Sequence, residues 1–173
     1  PREEYARLAQ ALTQIALSLD KFAGTLWQQA RSGNPLVQEP FGKKQVGSST
    51  MPMKKNPITW EQNKGLGRIA SGCSGSAQQD IVTVENRTIE QSIVERNIWQ
   101  DLFHTVIRSL TNMEKTLGNL QVYADHMLRE IIESRGTYAA SEAKEVIKDL
   151  SLPFGLDSNE AYRIVQLAAF NVF

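Results

Sequence analysis

Two long stretches of this chain carry apolar residues spaced alternately three and four apart, and this spacing constrains the fold more than any other feature. From Arg2 to Arg31 the row is Tyr5, Leu8, Leu12, Ile15, Leu19, Phe22 and Leu26. From Glu90 to Leu120 it is Trp99, Phe103, Val106, Leu110, Met113, Leu117 and Leu120, flanked by Ile98 and Leu102. Such spacing puts side chains on one stripe of an α-helix, and both stripes are expected to be core. The second helix is on the order of 45 Å long at 1.5 Å per residue. A short partner cannot cover it, so other long helices, from this chain or from neighbouring subunits, must do so. The expected fold is all-α.

The intervening segments read less sharply. Ser32-Gly33-Asn34-Pro35 stops the first helix. A second helix is predicted from Ile58 to about Ser71, with Ile58, Leu66 and Ile69 inward and Gly65 and Gly67 lowering its propensity. Gly72-Cys73-Ser74-Gly75-Ser76 reads as a break, and Ile81-Val82-Thr83-Val84 as a faint β-like trace. Beyond Gln121 the helices shorten: 122–133, 137–150 and 158–170, with a turn at 152–155 and an Asp157/Glu160 capping box. The chain therefore divides into a bundle part, 1–121, and a smaller helical part, 122–173.

Nineteen basic residues balance nineteen acidic ones, so no global field favours nucleic acid or an anionic membrane. Any anion site must be local. No apolar run approaches the ~20 residues of a membrane span, and no signal peptide opens the chain. The single Cys73 excludes an internal disulfide, suits a reducing cytoplasm and reads as a packing residue.

Gly47-Ser48-Ser49-Thr50-Met51-Pro52-Met53-Lys54-Lys55-Asn56-Pro57 is the local site this balance leaves room for. Gly47 and the serines permit a tight backbone whose N–H groups cradle an anion. Lys54 adds positive charge, Asn56 donates and accepts, and Pro52 and Pro57 limit the loop's shapes. Composition alone also fits a polar connection between two helices.

The string resembles the signature GSSxMPxKxNP of the fumarase/aspartase superfamily, with seven or more fixed positions across eleven residues. The resemblance implies a long-helix bundle of that type, a smaller C-terminal helical domain, and elimination of fumarate or a close analogue from succinyl-type substrates. It places Ser48 as the general base, Lys54 and Asn56 beside the substrate carboxylate, and Ser49 and Thr50 as further donors. It sets Glu61 where the family carries a carboxylate that orients an acid histidine. By residue type alone Glu61 is equally a first-turn glutamate favoured by the helix dipole. His104 and His126 match no family motif. In the family the acid comes from an earlier segment and another subunit, so the resemblance implies that this chain is part of a longer, homotetrameric enzyme and inactive by itself.

Arg87, Ser92 and Arg96, spaced five and four apart, resemble the set with which adenylosuccinate lyases hold a nucleotide phosphate; two guanidinium forks and a hydroxyl suit that dianion. A solvated helix face, its arginines paired by Glu90 and Glu95, fits the same residues. Gln62 is counted with the substrate-binding group. Three positions depart from that branch: Met53 stands where histidine or tyrosine is common, Thr88 where an acidic residue is frequent, and Gln62 where some members carry arginine. The expected reaction is release of fumarate from adenylosuccinate, giving AMP, and from the succinylated carboxamide ribotide of purine biosynthesis. It needs a nucleotide substrate and neither cofactor nor metal. Alternatives are an argininosuccinate lyase-like enzyme, a carboxymuconate cycloisomerase, and, from another class, a non-catalytic helical-bundle assembly protein.

Overall fold

The computed structural model describes residues 2–31, 33–42, 44–82, 88–155 and 157–172. Ser32, Thr83, Val84 and Arg87, which figure in the expectations above, lie outside the described residues. Packing divides the chain into two units, Pro1–Val122 and Tyr123–Phe173.

In the first unit, α1 (Glu3–Gln29), α2 (Ile58–Gln79) and α3 (Ile89–Leu117) pack on one another. A two-residue strand β1 (Val37–Gln38) pairs antiparallel with β2 (Gln121–Val122), Val37 opposite Val122. The sequence reading started the next helix at Val122; instead Gln121 and Val122 tie the connector after α1 to the end of the bundle.

α1 and α3 form where the spacing predicted them, but their inner faces differ. On α1 the buried residues are Ala6, Ala9, Thr13, Ala16, Ala23 and Leu26. Of the expected stripe Leu26 is buried and Leu12 and Leu19 are half-buried, while Tyr5, Leu8, Ile15 and Phe22 face outward, Leu8 at 46% and Ile15 at 42% exposure. The reason lies on α2, whose buried face is also small: Gly67, Ala70, Cys73, Ser74 and Ala77 beside Trp60 and Asn63. Two small faces let the backbones approach closely, so the Thr13 hydroxyl donates to the Ala70 carbonyl at 3.0 Å. A Cβ on Gly67 would lie 2.9 Å from Asp20 Oδ2.

The same packing corrects two expectations for α2. The helix runs unbroken through Gly72–Ser76 to Gln79, because contact with α1 outweighs the low propensity of glycine and serine. Ile69 is exposed, while Ile58 and Leu66 are half-buried. On α3 the flanking row Ile98 and Leu102 is core with Val106 and Met113, whereas Phe103, Leu110 and Leu117 face outward. Cys73 is buried in this core, and that burial pushes its thiol pKa up, with Asp101 adding to the effect.

Within the second unit α4 (Ala124–Glu133) begins two residues later than predicted. A left-handed Gly136 (φ 88°) and a 3-10 turn at Thr137–Ala139 precede α5 (Ala140–Ser151), where the pattern read one helix. The expected turn at 152–155 holds a 3-10 turn, Leu152–Phe154. The last helix, α6 (Ser158–Phe170), starts with the predicted capping box: Asp157 accepts from the N–H groups of Asn159 and Glu160, and Glu160 accepts from that of Asp157.

Candidate active site

The segment 47–57 folds back on itself between the connector and α2. Gly47 is buried at its neck: a Cβ there would sit 2.2 Å from the Lys54 carbonyl oxygen and 3.1 Å from both Lys55 Cα and the Phe41 ring. Only glycine permits that approach. Just after it, the Ser48 Oγ accepts from the Thr50 and Met51 N–H groups at 3.3 and 3.1 Å. Two donors aimed at one hydroxyl oxygen favour negative charge on it. The Lys54 N–H donates to the Met51 carbonyl at 3.0 Å, closing the turn that contains Pro52 and Met53.

Two cavities open beside this loop, both lined by Ala30, Arg31, Lys54 and Lys55. The larger, ≈ 470 Å³, adds Gln38, Met51 and Met53. The smaller, ≈ 240 Å³, adds Trp27, Asn56, Pro57 and Glu61. Lys54, Asn56 and Glu61 thus line one cavity. Ser49 and Thr50 are exposed on the loop, and Gln62 is exposed on α2. Met53, 88% exposed, projects from the turn.

Four residues that sequence reasoning passed over belong to this neighbourhood. The Trp27 indole N–H donates to Glu61 Oε1 at 2.9 Å, and the Lys64 ammonium lies 4.6 Å from the centre of the Trp27 ring. Arg31 supplies a third cation to both cavities. Glu39, 4% exposed, accepts from the Thr59 and Trp60 N–H groups at 3.1 and 2.6 Å. Nothing in the apolar periodicity marked them: Trp27 lies off the α1 stripe, Lys64 is a charged residue within α2, and Arg31 and Glu39 fall between α1 and α2.

Ser92 and Arg96 lie elsewhere. The start of α2 meets the end of α3, where the Trp60 Nε1 donates to Thr116 Oγ1 and the Asn63 amide to the Ser109 carbonyl. Arg96 is twenty residues before Thr116 on α3, about 30 Å along the helix. Ser92 is half-buried there and Arg96 exposed. One chain therefore does not bring this pair to the loop. Among the described residues no three His, Cys, Asp or Glu side chains gather as a metal site requires.

Residues 1–72 match the protein family described as Lyase. Over 99% of its length the chain is 38% identical to the adenylosuccinate lyase of Aquifex aeolicus. To that of Helicobacter pylori it is 34% identical, again over 99% of its length. A fumarate lyase structure from Mesorhizobium sp. BNC1 superposes with a TM-score of 0.77 at 23% identity, covering 97% of this chain and 35% of that one. The chain is thus similar in sequence to adenylosuccinate lyases and shares its fold with the fumarate lyase structure. It spans 38% of the length of the two adenylosuccinate lyases.

A lactonizing enzyme for 3-carboxy-cis,cis-muconate from Pseudomonas putida shares the fold, with a TM-score of 0.73 at 22% identity. The likeness to both structures is one of fold, carried in the first unit by the long helices α1, α2 and α3.

Proposed function

We propose that the protein carrying this chain is an adenylosuccinate lyase, releasing fumarate from adenylosuccinate to give AMP and from the succinylated carboxamide ribotide of purine biosynthesis. The reading rests on the 38% identity that runs through the signature loop and on to the end of the chain. The geometry of the loop supports the chemistry. Ser48 is the base that takes the proton beside the substrate carboxylate, its oxygen held by the Thr50 and Met51 N–H groups. Lys54 and Asn56, facing the cavity that Glu61 also lines, stabilise the carboxylate as carbanion charge spreads into it. Ser49 and Thr50 donate to the same anion. Glu61 orients an acid histidine contributed from outside these residues, and Arg87, Ser92 and Arg96 hold the phosphate, with Gln62 contributing to substrate binding.

Because Ser92 and Arg96 lie about 30 Å along α3 from the end that meets the loop helix, this reading also requires sites shared between subunits of a homotetramer, placed in the cytoplasm. Residues 1–121 then belong to the central bundle and 122–173 to the C-terminal domain. The test is fumarate release from adenylosuccinate by the intact gene product. Turnover of argininosuccinate instead would favour the second reading, another fumarate-type lyase, which the exposed Met53 at the lip of the larger cavity makes worth assaying.

A further inference from the structure

We propose that Glu39 is a positioning residue for the loop 47–57, clamping the chain that enters the loop to the helix that leaves it. The proposal deepens the assignment above and rests on it for its kinetic part alone.

The first turn of a helix has N–H groups with no partner inside the helix. In α2 the residue before the helix is Pro57, which offers no side-chain cap. Glu39, twenty residues upstream of Thr59, supplies it instead: Oε2 accepts from Thr59 and Oε1 from Trp60. A buried carboxylate there also meets the positive end of the helix dipole. Both sides of this clamp are fixed. On one side Val37 is buried and paired with Val122. On the other, the Trp60 side chain is wholly buried and donates to Thr116.

The segment between those anchors carries Ser48, Lys54 and Asn56, and Glu61 follows one residue after Trp60. Glu39 touches none of the reacting groups. It acts through the first turn of α2, which sets the direction of Glu61 and of the Asn56–Pro57 exit from the loop. Closing the base of a loop this long removes chain entropy that the loop's own few hydrogen bonds would otherwise have to oppose.

The test compares Glu39→Gln and Glu39→Asp with the unaltered intact protein, by amide hydrogen exchange and by steady-state kinetics of fumarate release. Glutamine keeps the shape and one acceptor but turns an NH₂ toward an N–H and removes the charge. The expected result is a folded protein in which the amides of Thr59, Trp60 and the segment 47–57 exchange about tenfold faster, the size of a lost cap. In the same variant kcat falls about 100-fold, as for a misplacement of order 1 Å, while KM changes little. Aspartate, one methylene shorter, reaches one N–H and restores part of both. Unchanged exchange across 47–57 in folded Glu39→Gln overturns the clamp, and faster exchange with kcat intact overturns the positioning role. If the unaltered protein does not turn over adenylosuccinate, the assignment of the reaction fails and the exchange measurement still decides the clamp.

Discussion

Replacing Gly47 with alanine tests the loop geometry directly. The added Cβ would lie 2.2 Å from the Lys54 carbonyl oxygen and 3.1 Å from Lys55 Cα. Ordinary carbon–oxygen contact needs roughly 1 Å more than the first distance, and the obstacle is backbone, so the Lys54 peptide must move. Overpacking of this kind costs about 1–3 kcal/mol. The consequence for chemistry is larger, because that peptide carries Lys54, and a displacement near 1 Å costs about 100-fold in rate. Gly42→Ala is the matched control: its Cβ would meet only Gln45 atoms, at 3.8 Å. Fumarate release by the two variants, with thermal melts alongside, decides the matter. A Gly47→Ala protein with wild-type rate and melting temperature would refute the close approach on which the site is built.

Lys54→Ala removes one of the cations that line the smaller cavity with Asn56 and Glu61, and by analogy with lost oxyanion donors kcat should fall by about 3–4 kcal/mol of transition-state stabilisation; near-normal turnover would exclude its role. Trp27→Phe keeps a ring under the Lys64 ammonium but deletes the donor to Glu61. A lost hydrogen bond of about 0.5–1.5 kcal/mol predicts a fewfold drop in kcat with KM nearly constant, and an unaltered kcat would count against Glu61 being held by the indole. Asp80 ends α2, and burial first, then Glu95 and Glu90, raise its pKa against the opposing pull of Arg2. A raised carboxyl pKa contributes stability below the ordinary aspartate value that is lost as pH climbs through the folded-state pKa. Asp80→Asn should therefore stabilise the protein at neutral pH, by about 0.3–1 kcal/mol from the helix terminus alone, with the gain vanishing in acid; a lower melting temperature at pH 7 would contradict this.

The helices α1 and α3 were legible because three-four spacing survives whichever face is buried. The buried face was not. On α1, large apolar residues and a row of alanines share one helix, and a reading weighted by hydrophobic size chooses the leucines. The alanines win because Gly67, Ala70 and Ala77 on α2 leave no room for anything larger. For the same reason Gly72–Ser76 looked like a break: residues that weaken an isolated helix are the ones that permit this contact. The signature loop was readable since its chemistry requires particular side chains. Glu39 was not, since its partners are the backbone N–H groups of Thr59 and Trp60, which any residue except proline would offer. The two-residue β1–β2 pairing is too short to leave an alternating pattern.

The antiparallel course of α2 and α3 has a genetic consequence. If every working centre takes its loop from one copy and its phosphate arginines from another, an allele lacking Lys54 and an allele lacking Arg96 damage different halves of the same centre. Co-expressed in one cell, the two null products would form mixed particles in which some centres draw both intact halves. Such a heterozygote should regain growth that neither allele supports alone, whereas two alleles altered within the loop should not rescue each other.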